Sequence, residues 1–122
     1  MGIESFDLGK KGEELAAQYL TRLGYQILER NFHSHQGEID LIAFDQGTLV
    51  FVEVKSYSFR SLQSPLSAIR KSKRQSIIHA ARTYLYKKKI SQINCRFDVL
   101  TIYRQPNGAR KIELYKNAFM AY

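Results

Sequence analysis

The stretch Glu38-Ile-Asp-Leu-Ile-Ala-Phe-Asp-Gln-Gly-Thr-Leu-Val-Phe-Val-Glu-Val-Lys55 decides how this chain folds. Two apolar runs, Glu38–Phe44 and Thr48–Lys55, flank Asp45-Gln46-Gly47, which predicts two antiparallel strands joined by a tight hairpin turn. In the second run the side chains alternate with period two. Val50, Val52 and Val54 face one way; Leu49, Phe51, Glu53 and Lys55 face the other. Phe51 belongs against a core or a covered surface, so Glu53 and Lys55 share a side that is not open water. A turn centred between Gln46 and Gly47 sets Asp40 directly opposite Glu53, with Cβ atoms roughly 4.5–5.5 Å apart. A bulge at Gly47 would shift that pairing by one residue.

Two carboxylates that close repel unless a proton or a cation lies between them. Oxygen donors without His or Cys partners favour Mg²⁺ or Mn²⁺ over Zn²⁺. Lys55 is the third member of the group. An ammonium beside a metal-bound water lowers the water's pKa, positions it, or steadies charge on an attacked phosphate. A plainer arrangement pairs Asp40 with Lys55 as a structural ion pair, which leaves Glu53 without a task.

Outward from this hairpin, a first helix is predicted from Leu8 to Leu23, with Asp7 as N-cap and Gly24 as its stop. Its apolar stripe is Leu8, Leu15, Ala16, Tyr19, Leu20 and Leu23. Gly12 falls in the stripe and lets another element approach closely. Glu13 lies on the stripe's edge and Glu14 points to water. Glu13 is thus a candidate fourth ligand, or simply a first-turn acid favoured by the helix dipole. Tyr25–Phe32 reads as a weaker strand, and Tyr57–Pro65 as a Ser-rich loop whose Tyr57, Phe59 and Arg60 are candidate nucleic-acid contacts. A second helix is predicted from Pro65 to about Lys89, ending in three lysines as the helix dipole favours. Its stripe runs Ile69, Ile77, Ala80, Ala81 and Tyr84, with Lys73 near the middle, where it either snorkels to an edge or reaches an acidic cleft. Arg96–Tyr103 and Lys111–Lys116 complete the strands, joined across Gln105-Pro-Asn-Gly108. The order α-β-β-β-α-β-β predicts an α/β sandwich with a mixed sheet.

At 122 residues, 44% apolar and 25% charged, the chain has the composition of one soluble domain, residues 1–122. No run approaches the ~18 apolar residues of a membrane span. Met1 to Asp7 has no basic stretch and no apolar core, so a signal peptide is not expected, and Phe6 stands where a myristoylation signal wants Ser or Thr. Cys95 is the single cysteine, which excludes an internal disulfide and a Cys-rich zinc site and suits a bacterial-type cytosol. The net charge is +8, and it is unevenly placed: residues 1–59 carry five Lys/Arg and nine Asp/Glu, residues 60–122 fourteen and two. An acidic half to collect a cation and a basic half to hold a polyanion would divide the labour within one fold. A membrane-surface role is disfavoured, because the basic helix lacks a large apolar face crowned by Trp or Phe.

Taken together, Gly9-Lys-Lys-Gly-Glu13 with Ala17 and Tyr19-Leu20, Gly37-Glu-Ile-Asp40-Leu-Ile, Phe51-Val-Glu-Val-Lys55, Lys73 and Arg96-Phe-Asp98 resemble the YraN-like family of small bacterial proteins. That family belongs by similarity to the restriction endonuclease-like superfamily, whose signature is PD-(D/E)XK and which includes archaeal Holliday junction resolvases. The proline of the signature is Ile39 here, a change many members tolerate. The resemblance implies a restriction endonuclease-like fold, metal ligation by Asp40 and Glu53, a catalytic Lys55, a helix-borne Glu13 and an auxiliary Lys73. Because junction-cleaving members work as dimers, it also makes a homodimer the form to look for.

The expected activity is Mg²⁺- or Mn²⁺-dependent hydrolysis of phosphodiester bonds in nucleic acid, DNA ahead of RNA, with branched DNA among the candidates. In it the metal is held by Asp40, Glu53 and the Val54 carbonyl, and Lys55 orients or deprotonates water for in-line attack. Lys10, Lys11, Arg70, Lys73 and Arg74 are the expected backbone contacts. The competing expectation is a binding module that keeps the fold without turnover. Other signals are weaker. His33 and His35 lie in a polar loop with no third ligand nearby, and Gly9-Lys-Lys-Gly12 lacks P-loop spacing. His79 is expected in solvent, Cys95 as a small buried hydrophobe, and Asp98 either tied to a Lys or Arg or near the site.

Overall fold

The computed structural model describes residues 2–58 and 69–121, with side chains from residue 11 onward. The elements are α1 (Gly2–Arg22), β1 (Gln26–Ser34), β2 (Gly37–Asp45), β3 (Thr48–Tyr57), α2 (Lys71–Lys87), β4 (Asn94–Arg104) and β5 (Arg110–Phe119). Gln46 and Gly47 both adopt positive φ, 48° and 86°, the two-residue turn whose twist matches that of the flanking strands. With no bulge there, β2 and β3 pair from Asp45 opposite Thr48 to Leu41 opposite Val52, the register read from the sequence. The irregularities fall elsewhere, between Ile27 and Glu29 in β1 and between Phe97 and Val99 in β4.

The sheet has five strands in the order β1-β2-β3-β4-β5. All pairs are antiparallel except β3 with β4, which run parallel because α2 carries the chain back between them. This is the mixed sheet flanked by helices that the sequence predicts, and the alternation along β3 separates its two faces. Leu49 and Phe51 join Ile77, Ala80, Ala81 and Tyr84 of α2 in one core; Val50 and Val52 join Ala16, Ala17 and Leu20 of α1 in the other. In the α2 core a stacked series of rings crosses the sheet, Phe51 to Phe97 at 5.5 Å and Phe97 to Phe119 at 5.0 Å. Tyr84 meets Phe51 and Phe32 edge-on and so seats the helix. Gly12 brings α1 hard against β3: a Cβ there would lie 2.6 Å from Ser56 Oγ.

Several expectations need correction. The first helix runs through Asp7, which is not its N-cap, and ends at Arg22, so Leu23 lies in the turn beyond it and is half exposed. The side chain of Leu8 lies outside the described residues. The second helix starts at Lys71, with Arg70 extended at its N-cap, so Ile69 is buried ahead of the helix and not within it. Residues 59–68, including Phe59, Arg60 and the predicted helix opener Pro65, lie outside the described residues. The helix ends at Lys87 rather than Lys89, because Lys88 is its C-cap and Lys89 turns to φ 54°. Cys95 is exposed and not buried, since it lies near the start of β4, short of the core.

Candidate active site

The β2–β3 ladder ends at Leu41 and Val52, and beyond it a side chain takes over from the backbone. Asp40 Oδ2 accepts the Val54 N–H at 2.8 Å. The aspartate thereby bridges the two strands and ties down the peptide segment whose carbonyl the sequence nominated as a ligand. On the α2 face of β3, Glu53 is 5% exposed. Its Oε1 lies 3.6 Å from Lys55 Nζ and 3.7 Å from Lys73 Nζ, the latter reaching across from α2. Lys55 thus pairs with Glu53, not with Asp40, and Lys73 turns from the helix's buried side into this acidic pocket. Glu53 Oε2 is buried and has no hydrogen-bond partner among the described residues.

Burial first, then the negative Asp40 beside it, pushes the Glu53 carboxyl up to about 7, while Lys73 and Lys55 pull it part of the way back. Asp40 is also raised, chiefly by burial and then by the charge of Glu13 on α1, against the lowering effect of the Val54 N–H. Glu13 is half-buried and Glu14 exposed, which places Glu13 on the site side of its helix. Helices on opposite faces of the sheet therefore contribute to one cluster: Glu13 from α1 and Lys73 from α2.

The raised Glu53 carboxyl has a direct consequence for stability. The native state holds a proton that the unfolded chain releases near the ordinary 4.5. Stability from this group is complete below that value and is lost as pH rises through about 7. Glu53→Gln should therefore stabilise the metal-free protein at pH 8 relative to its effect at pH 5, by on the order of 1–3 kcal/mol. Urea melts of both proteins in chelator at the two pH values measure it. An equal effect at both would contradict the burial of this charge.

The donor set is oxygen only and suits a hard divalent ion. A buried carboxylate oxygen without a partner, next to a second carboxylate, is the arrangement such an ion relieves. Among the described residues no three His, Cys, Asp or Glu side chains gather closely enough to form a complete cage.

The expected backbone contacts are less concentrated. Lys11 is exposed on α1, whereas Arg70 and Arg74 are exposed at the start of α2 on the opposite face, and the Lys10 side chain lies outside the described residues. His33, His35 and His79 are exposed, and His33 pairs with Glu38. Asp98 is fully buried and belongs to a separate cluster on the α1 face, near the β2–β3 turn. There Arg96 donates to Asp98 and Asp45 at 3.0 Å each and to the Tyr25 hydroxyl. Sequence reasoning missed Tyr103 and Tyr115, which line a groove beside the site. The alternation of Arg96–Tyr103 puts Tyr103 on the face of Phe97, but its position beside Tyr57 depends on the parallel β3–β4 register.

The chain belongs to the uncharacterised protein family UPF0102, whose model matches residues 12–102. It is 45% identical over 115 residues to a UPF0102 protein of Syntrophus aciditrophicus, covering 93% of this chain and 90% of that protein. A UPF0102 protein of Geobacter sulfurreducens is 44% identical over 116 residues, 94% of this chain and 91% of its own. One from Chlorobium chlorochromatii is 49% identical over 96 residues, 79% and 74% of the two chains. The matched span contains Glu13, Asp40, Glu53, Lys55 and Lys73. Among the described residues no helix is long and apolar enough to cross a membrane.

Proposed function

We propose that this member of the UPF0102 family is a metal-dependent nuclease of the restriction endonuclease-like kind, hydrolysing phosphodiester bonds in nucleic acid, DNA in the first place. The observation that carries the reading is the buried Glu53, with Asp40 beside it, two lysine ammoniums within 3.7 Å and one oxygen unpartnered. Asp40, Glu53 and the Val54 carbonyl would hold Mg²⁺ or Mn²⁺, which supplies a Lewis acid for the phosphate and for charge on the leaving 3′ oxygen. Lys55 Nζ, anchored by Glu53, donates to and orients the attacking water. Lys73 offsets the negative charge that the carboxylates and an incoming phosphate bring together. Glu13 extends the acidic wall on the α1 side. Lys11, Arg70 and Arg74 contact the backbone through charge alone, which makes affinity salt-dependent and largely indifferent to sequence. One such site cuts one strand, so duplex cleavage calls for a second copy.

A second reading has an observation of its own. Lys55 and Lys73 both form ion pairs with Glu53, a structural use of these side chains that fits a binding module keeping the fold without turnover. Incubating the purified protein with branched and linear DNA, with and without Mg²⁺ or Mn²⁺, separates the two. The nuclease nicks only with metal, and Glu53→Ala and Lys55→Ala do not. The binding module retains DNA on a filter regardless of chelator and leaves it uncut.

A further inference from the structure

On the α2 face, β3 and β4 run side by side past the site. Lys55 lies opposite Thr101 and Tyr57 opposite Tyr103, and the two tyrosine rings stack with centroids 5.2 Å apart and planes 23° off parallel. Beyond Tyr103 opens a groove of about 390 Å³, lined by Tyr103, Arg104, Pro106, Lys111, Glu113 and Tyr115. None of these residues has a part in the carboxylate–lysine cluster. The groove's rings are held in place. Tyr103 is backed by Tyr57, and the Tyr115 hydroxyl donates to Glu113, which pairs with Lys111 at 3.0 Å. Arg104 adds positive charge to the lining, and Lys111, though paired with Glu113, leaves the groove with a net positive charge. Two residues along a strand span about 7 Å and one strand across about 5 Å. Tyr103 is therefore within a nucleotide or two of a phosphate seated at Lys55.

Pre-oriented aromatic walls with cations at the edge form a stacking site for a flat, uncharged ring attached to a phosphate. We propose that this groove takes one unpaired base of a strand whose phosphodiester lies at Asp40, Glu53 and Lys55, so that the substrates are single-stranded or flapped nucleic acids and not continuous duplex. Bases inside a duplex are already stacked on their neighbours and cannot offer a face to the groove without being flipped out. The placement of the phosphate rests on the nuclease reading, but binding of the base does not need metal, so the two fail separately.

The test uses the full chain in chelator at about 0.15 M salt, with an oligothymidylate single strand and a blunt duplex of equal length. The chain has no Trp, so emission from its eight Tyr residues is readable, and stacking quenches it. The wild type should bind the single strand more tightly than the duplex. Tyr103→Leu should weaken single-strand binding roughly fivefold to a hundredfold and leave duplex binding within about twofold, whereas Tyr103→Phe retains both. If Tyr103→Leu does not fold, Tyr115→Leu on the other wall gives the same reading. Equal loss on both substrates, no loss in either leucine variant, or a wild type that binds neither nucleic acid overturns the proposal. Strand preference without cleavage in Mn²⁺ would leave the groove standing and remove the nuclease reading. Cleavage without strand preference would do the reverse.

Discussion

Replacing Arg96 by alanine should lower the stability of this protein by about 3–5 kcal/mol. Arg96 is the counter-charge for Asp98, which is 0% exposed, and its guanidinium also reaches Asp45 and the Tyr25 hydroxyl. Asp98 accepts two further hydrogen bonds, from the Asn117 N–H at 2.9 Å and from the Tyr25 hydroxyl at 3.4 Å. Removing the arginine leaves that carboxylate buried with neutral donors only, and its desolvation is then uncompensated. Lysine should recover little, since one ammonium cannot serve two carboxylates and a phenol in a fixed fork. The midpoint of urea unfolding measures the loss. A change under about 1 kcal/mol would mean the network behaves like a surface ion pair. The cluster stands on the α1 face near the β2–β3 turn, away from Glu53, so an Arg96→Ala protein that remains folded should match the wild type in a Mn²⁺ titration.

The second large effect is on chemistry. Glu53→Ala and Lys55→Ala should each slow single-turnover cleavage of DNA in Mg²⁺ by roughly 10²- to 10⁴-fold. Glu53 is the more deeply buried of the paired carboxylates and ion-pairs with both lysines, so its removal takes away a proposed ligand and releases two cations. Lys55→Ala leaves the carboxylates in place and removes the group proposed to orient water. The two variants therefore differ in a second readout: Lys55→Ala should still bind Mn²⁺ and Glu53→Ala should not. Wild-type cleavage rates in either variant would withdraw the catalytic assignment of that residue.

The hairpin register was legible because a two-residue turn leaves no freedom. Once Gln46 and Gly47 form it, Leu41 must face Val52; the ladder stops there, one residue short of the Asp40–Glu53 pair expected from the sequence, and Asp40 instead accepts the Val54 N–H. The alternation of β3 separated the two cores for the same reason, and Lys73 stood out as a cation on an apolar stripe. The acceptor role of Asp40 toward Val54 was not legible, because pattern places a side chain on a strand but not against a particular N–H. Helix starts were read less well. Asp7 and Pro65 are good capping and opening residues, yet the first helix runs through Asp7 and the second begins at Lys71, because local preference is a weak guide to a helix start. The Tyr57–Tyr103 stack required the parallel alignment of β3 with β4, which are joined through a whole helix, and no turn rule fixes that register.

Titration of Mn²⁺ into the protein at pH 8, followed by calorimetry, tests the central claim most directly. Saturable uptake of a single ion is expected, abolished by Asp40→Asn and by Glu53→Gln and weakened at pH 6, where Glu53 must first give up its proton. No saturable uptake at pH 8, or uptake unchanged by Asp40→Asn, would contradict the account.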